Sequence, residues 1–151
     1  MVLDSIYRKI VNKFKILNEK GEFFMEREGK VSLWLGNFSD SQSFNDFIEF
    51  DYTEDGDLIP SKFQKNFRIG YYDEDFSEIE YFENSFNNLK NILEGFSYDE
   101  KIIPQFTQIY QEQYYNCVIL LYNFEYIPSI ENYTDGDNYL KFIGVADYIT
   151  K

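Results

Sequence analysis

Two short apolar stretches constrain the fold of this chain most strongly. Residues 31–38 (VSLWLGNF) are rich in strand-forming residues, begin with apolar–polar alternation and end at a glycine turn. Residues 117–124 (CVILLYNF) form a nearly unbroken apolar run, which is typical of a buried strand. Both runs are far shorter than the roughly 20 apolar residues of a membrane-spanning helix. They therefore predict two strands at the centre of one hydrophobic core.

Further patterns predict the elements around these strands. Ser39 with Gln42, and Ser77 with Glu80, have the spacing of a helix-capping box. The second box precedes the clearest helical pattern, in which apolar residues recur three and four positions apart up to Leu93. The remaining patterns predict a loop at 51–60, a helix at 61–67, a strand at 67–72, a helix opened by Pro104, a loop at 129–138 and a strand at 139–149. Because strands and helices do not alternate strictly, we expect an α+β fold in a single domain, with a small antiparallel or mixed sheet and helices packed mainly on one face.

The start of the chain has a different character from the rest. Residues 4–18 place apolar side chains at helical spacing, with lysine and arginine between them. We expect residues 1–24 to form a helical extension and residues 25–151 to form the main domain. Docking on the acidic remainder of the chain is the expected role of this helix, and attachment to a membrane surface is the alternative.

Charge restricts the class of partner. The formal net charge is −13, and residues 31–151 carry seven Lys/Arg against twenty-two Asp/Glu. A surface this negative repels nucleic acids and anionic lipids, and it attracts basic proteins or cations. We therefore expect a protein partner, with no direct nucleic-acid binding and no membrane binding.

Several kinds of reactive site are excluded or disfavoured by residue type. The chain has no histidine, which excludes His-based catalysis and His-ligated zinc. Cys117 is the only cysteine and lies in an apolar run, so we expect an inert, buried thiol. The segment starting at Asp51 partly matches an EF-hand calcium loop, but Lys62 stands where that loop requires glutamate. We predict a turn there, with no metal and no cofactor.

An enzyme is the less favoured class of function. Two carboxylates can act as general acid and base, but nothing in the sequence marks one acidic pair as buried, and no phosphate loop or nucleophile motif is present. The start of the chain lacks the apolar segment of a secretory signal, so we expect a cytoplasmic protein.

The densest acidic segment is residues 71–83 (YYDEDFSEIEYFE), which contains six carboxylates and no basic residue. From Ser77 onward the acids are explained by the predicted helix start. The residues just before it exceed what a helix cap requires, and acids beside tyrosines suit a surface that binds a basic protein. The alternative is a solvated acidic face. The predicted contact residues are Tyr71, Tyr72, Asp73, Glu74, Asp75 and Glu83.

Several segments together resemble the immunity protein 22 family of bacterial polymorphic toxin systems. The resemblance covers about residues 25–148, and residues 1–24 depart from it as an extension. It rests on Trp34-Leu35-Gly36-Asn37 after the first strand, Ser61-x-Phe63 before Phe67, the run Tyr-Asp-Glu-Asp-Phe at 72–76, and Phe142-Ile143-Gly144 near the end.

The resemblance implies a cytoplasmic antitoxin that binds one cognate toxin domain and blocks it. Toxins of such systems are often nucleases with basic clefts, to which an acidic inhibitor is electrostatically matched. Two alternatives stay open: a non-catalytic acidic binding module or scaffold unrelated to toxins, and a carboxylate-based hydrolase. We assign Trp34, Leu35 and Gly36 to folding, because a tryptophan in a strand is usually part of the core.

Overall fold

A five-stranded antiparallel sheet organises the molecule. The computed structural model describes residues 25–149. Its strands are β1 (Glu26–Asn37), β2 (Asp51–Tyr52), β3 (Leu58–Ile59), β4 (Ser77–Phe86), β5 (Tyr115–Phe124), β6 (Asn132–Asp135) and β7 (Asn138–Asp147). Its α-helices are α1 (Ser41–Ile48), α2 (Lys62–Phe67), α3 (Leu89–Leu93) and α4 (Asp99–Thr107). No helix among residues 25–149 is long and apolar enough to cross a membrane.

The strand order of the main sheet is β4-β5-β1-β7-β6, and β2 with β3 forms a separate hairpin. Every neighbouring pair of the main sheet is antiparallel. Strand β1 lies in the middle, where Trp34 is opposite Ile119 on one side and Phe142 on the other. Residues 31–36 are all buried, which explains their almost continuous apolar sequence. The predicted strands at 31–38, 117–124 and 139–149 are thus confirmed.

Two hydrophobic clusters cover the two faces of the sheet. Trp34 and Ile119 belong to one cluster, and their neighbours Leu33 and Leu120 belong to the other, as the alternation of a strand requires. Helices α1 and α2 pack in the first cluster, whereas α3 and α4 pack in the second. The predicted α+β class with an antiparallel sheet is confirmed, but the helices are divided between both faces rather than lying mainly on one.

Trp34 is the centre of the first cluster. Its ring lies 5.1 Å from that of Phe63 and 5.2 Å from those of Tyr126 and Phe142. Gly36 follows on the same strand, where a β-carbon would approach the carbonyl oxygen of Tyr139 to 2.3 Å. The assignment of residues 34–36 to folding is confirmed.

The predicted helix from Ser77 to Leu93 is wrong. Residues 77–86 form strand β4, and the helix begins only at Leu89, where Asn88 caps it. Ile79 is opposite Ile119 of β5, so pairing with the most buried part of the sheet decides the conformation. The capping box proposed for Ser77 and Glu80 is therefore absent.

Smaller corrections concern the ends of elements. Helix α1 is capped by Asp40, which accepts a hydrogen bond from Ser43 N at 2.7 Å, rather than by Ser39. The predicted strand at 67–72 does not form, because Arg68 adopts a left-handed conformation that ends α2. Pro104 lies inside α4 instead of opening it. The two predicted loops at 51–60 and 129–138 contain the hairpin β2–β3 and strand β6. The predicted helix at 4–18 lies outside the described residues, as does the extension of residues 1–24.

Candidate functional site

The candidate site begins with an irregular segment that leads into β4. We call residues 71–76 the acidic ridge. Residues 74–76 form one turn of 3₁₀ helix, and Asp73 caps it by accepting a hydrogen bond from Asp75 N at 3.0 Å. A second bond runs from Phe76 N to the carbonyl of Asp73. Asp73 thus has a folding role, and the turn holds the other two carboxylates outward.

Tyr72 anchors the acidic ridge to the core. Its side chain is only 5% exposed, and its ring packs against Phe50 and Phe63 with centroid distances of 5.9 and 6.2 Å. Burial, and secondarily the charge of Glu74, raises the pKa of Tyr72 to about 12. The predicted contact residue Tyr72 therefore lies inside the protein and positions its neighbours.

The neighbours of Tyr72 are on the surface. Tyr71 is 65% exposed and Phe76 is 49% exposed, and the carboxylates of Asp73, Glu74 and Asp75 lie between them. Local desolvation and then the charge of Asp73 raise the pKa of Tyr71. The ridge therefore combines three negative charges with two accessible aromatic rings within six residues.

Glu83 is separate from the acidic ridge. It lies on β4 six residues after Ser77, which corresponds to about 20 Å along a strand. It is exposed and falls where the pairing of β4 with β5 becomes irregular, between Tyr81 and Phe86. The structure thus brings residues 71 and 73–75 together on the surface, and places Glu83 farther along the same strand.

The acidic ridge separates two clefts that meet at Ser77. One cleft, of about 580 Å³, is lined by α1, the start of β2, Tyr72, Glu74 and Ile79. The other, of about 240 Å³, lies on the opposite side and is lined by Asp75, Phe76, Glu78, Ser97 and a cluster of three tyrosines. These three are Tyr98, Tyr122 and Tyr148.

Glu78 is built into the wall of the smaller cleft. Its Oε1 lies 2.7 Å from the hydroxyl of Tyr122 and accepts a hydrogen bond from Ser97 N at 3.0 Å. Burial, and then the hydrogen bond to Glu78, raises the pKa of Tyr122. Glu78 therefore serves the fold, and Glu80 and Glu83 are the exposed acids of the strand.

Sequence reasoning missed two aromatic residues at this site. Tyr52 borders the larger cleft and Tyr98 the smaller, and they are 49% and 56% exposed. Tyr52 precedes the turn-forming T-E-D-G-D residues, a signal of surface position, but nothing in the local sequence relates Tyr98 to the acidic ridge. Their proximity to it depends on tertiary packing.

Other reactive groups have structural explanations. The segment from Asp51 to Asp57 consists of strand β2 and the turn of the β2–β3 hairpin, in which Asp57 N donates to Thr53 Oγ1 at 3.0 Å and Gly56 has a φ of +86°. Within residues 25–149, no three acidic or cysteine side chains are grouped as metal ligands would be. Cys117 is buried, and desolvation raises the pKa of its thiol, so its chemistry matches that of an inert core residue.

One family of known proteins matches most of this chain. No curated protein and no solved structure is detectably similar to it. The sequence profile named immunity protein 22 matches residues 31–149, which include the whole sheet from Val31 onward, the acidic ridge and both clefts. Membership of this family supports an immunity, or antitoxin, role in general and the binding of a toxin partner. On the strength of this match over most of its length, the chain belongs to the immunity protein 22 family.

Proposed function

We propose that this protein binds one cognate bacterial toxin domain and blocks it by covering its working surface with the acidic ridge. The observation that carries this proposal is the exposure of Tyr71, Glu74, Asp75 and Phe76 within one six-residue segment, in a member of an immunity family. In this proposal the protein acts in the cytoplasm and performs no catalysis.

Electrostatics supports a basic toxin surface as the target. The ion pairs described in the structure, Arg27–Glu125 and Lys30–Asp147, include no residue of the acidic ridge. Its carboxylates make no ion pair with another residue of the described range, so their field is directed to solvent. Such a field accelerates encounter with a cationic partner, and the effect weakens as salt screens the charges. A nuclease is a suitable target, because carboxylates can occupy positions where its cleft binds phosphates.

The aromatic residues supply the short-range part of the interaction. Tyrosine and phenylalanine rings bury a large area, and tyrosine is enriched among residues that dominate binding energy. Tyr71 and Phe76 are held at the two ends of the 73–75 acids by Tyr72 and by the capped turn. A rigid surface of this kind loses little conformational entropy when it binds.

The test is co-expression with the toxin domain encoded by the adjacent gene, scored by survival and by co-purification. Wild type is expected to protect the cells and to form a complex. The double variant Glu74→Gln/Asp75→Asn keeps the cap at Asp73, and we expect it to bind about tenfold more weakly at low salt, with reduced salt dependence. The matched control is Asp135→Asn/Asp137→Asn in the β6–β7 turn, which removes the same charge far from the ridge in the sheet order.

Two results would contradict this proposal at different levels. Failure of the wild type to protect or to bind the adjacent toxin would reject the proposed antitoxin function and favour an acidic binding module without a toxin partner. Binding that is unaffected by the double variant at every salt concentration would reject the acidic ridge as the contact surface.

A further inference from the structure

Strand β4 has an open edge. It has ten residues and lies at the end of the main sheet, where β5 is its only partner among residues 25–149. A strand in this position presents a row of backbone N–H and C=O groups that no neighbouring strand uses, and such a row can pair with a strand from another chain.

The usable part of this edge is defined by the register. Residues 77–81 pair regularly with residues 121–117 of β5, and the pairing becomes irregular after Tyr81. Five regular residues extend about 17 Å, which is the usual length of a strand in globular proteins. An added strand of similar length would fit beside Ser77–Tyr81.

The two clefts lie on opposite sides of this edge. The larger contains Ile79 and the smaller contains Glu78, and both contain Ser77. Because alternate side chains of a strand point to opposite faces, a strand added beside residues 77–81 would direct its side chains alternately toward the two clefts. Backbone pairing with alternating side-chain pockets is the known physical basis of recognition by strand addition.

Charge determines which strand can be added. Glu80 and Glu83 are exposed on β4, and the acidic ridge precedes it directly. Pairing with β4 of a second copy would bring carboxylates toward one another, whereas lysine or arginine opposite them contributes about 0.2–1 kcal/mol per pair. The edge is therefore disfavoured for self-association and suited to a basic segment.

We infer that the partner of this protein adds an extended segment bearing lysine or arginine to the open edge of β4, beside residues 77–81. This inference rests on the proposed function and specifies how the toxin domain is held. The added strand lies beside the acidic ridge, so the toxin contacts the backbone of β4 and the aromatic side chains at 71 and 76 together.

Amide hydrogen exchange followed by NMR tests the inference, with labelled protein alone and in complex with the toxin domain encoded beside it. In the free protein the Ser77 N–H already donates to the Glu74 carbonyl, and the amides of residues 78–81 that face away from β5 are expected to exchange freely. In the complex we expect these amides to exchange at least about tenfold more slowly, with intermolecular NOEs between backbone protons, while amides of β6 keep their rates.

Each other outcome has a definite meaning. Tight binding without slower exchange or backbone NOEs at residues 77–81 would overturn the inference and leave the proposed function standing. If the amides of residues 78–81 that face away from β5 are already protected in the free protein, a segment of this chain or a second copy occupies the edge, and the inference is wrong. Absence of any binding removes the proposed function and this inference together.

A charge-reversal pair tests the basic character of the added strand. Glu80→Lys is expected to weaken binding at least about tenfold, and the matched Asp137→Lys, at the far side of the sheet, is expected to stay within about twofold of wild type. Both positions are exposed, and unchanged thermal unfolding checks that both variants fold. Wild-type affinity of Glu80→Lys would overturn the assignment of a basic strand.

Discussion

The two edges of the sheet are protected against unwanted pairing in different ways. Strand β6 has four residues and borders a groove of about 660 Å³, whose lining includes both Glu131 and Lys141. Strand β4 has ten residues and carries exposed carboxylates at 80 and 83, next to the acidic ridge. A short strand offers few backbone N–H and C=O groups for pairing with any partner. A long strand with acidic side chains offers more of these groups and repels only negatively charged partners. The contrast supports the proposal that the partner is recognised at β4.

The first prediction compares how much one aromatic side chain near each edge contributes to stability, and it has the largest expected effect. Tyr72 is buried against Phe50 and Phe63, whereas Tyr133 near the β6 edge is half-buried against Phe47 at 4.5 Å. We expect Tyr72→Ala to lower the free energy of unfolding by about 3 kcal/mol, and Tyr133→Ala to lower it by about 1 kcal/mol. Urea denaturation of both variants measures the difference. Equal losses would show that the two edges are supported alike.

The second prediction uses pH at the same two positions. Burial raises the pKa of Tyr72 to about 12, above the ordinary value of 10, so the folded state holds this proton more tightly than the unfolded state. The associated stability is fully present below pH 10 and is lost as the pH rises toward about 12. Tyr72→Phe should therefore lose less stability than wild type between pH 10 and 12.

Tyr133 provides the comparison for this measurement. Desolvation and then the charge of Asp135 raise its pKa as well, but its side chain is less buried than that of Tyr72. We expect the pH dependence of Tyr133→Phe to stay closer to that of wild type. Urea midpoints measured between pH 10 and 12 report how steeply the stability of each variant falls with pH. If the stability of Tyr72→Phe falls as steeply as that of wild type, burial does not have the role given to it at this position.

The third prediction, with the smallest effect, concerns self-association. Glu80→Thr/Glu83→Thr removes the charges of the long edge, and we expect weak dimers at high protein concentration because two uncharged β4 edges can pair. Asn132→Val/Thr134→Val makes the short β6 edge more strand-forming, and we expect a monomer fraction unchanged from wild type. Sedimentation velocity distinguishes the two. If only the β6 variant dimerises, β6 rather than β4 is the edge that can pair with another chain.

The sequence predicted the three inner strands because their signal does not depend on context. Residues 31–36 of β1 and 115–122 of β5 are buried on both faces, so these stretches are mainly apolar, and their short length favours a strand over a helix. The composition and charge that favour a protein partner were equally independent of the fold.

The sequence predicts a helix where strand β4 forms, and this error has a specific physical reason. Phe82, Phe86, Leu89 and Leu93 have helical spacing, and they do meet in one hydrophobic cluster, as one helix face would require. They reach it from a strand followed by a short helix, with Ile79 packed in the other cluster. Spacing alone does not distinguish these arrangements, because the partner strand β5 lies about 40 positions away in sequence.

The sequence by itself determined that residues 71–76 combine three carboxylates with three aromatic rings. Only the tertiary structure decided that Tyr72 turns inward, that Tyr71 and Phe76 stay outside, and that Glu83 lies farther along the strand. It also decided that the next residues form an open edge between two clefts. Charge is a property of each residue, but exposure and an open edge depend on which distant segments pack alongside, and no local pattern encodes that.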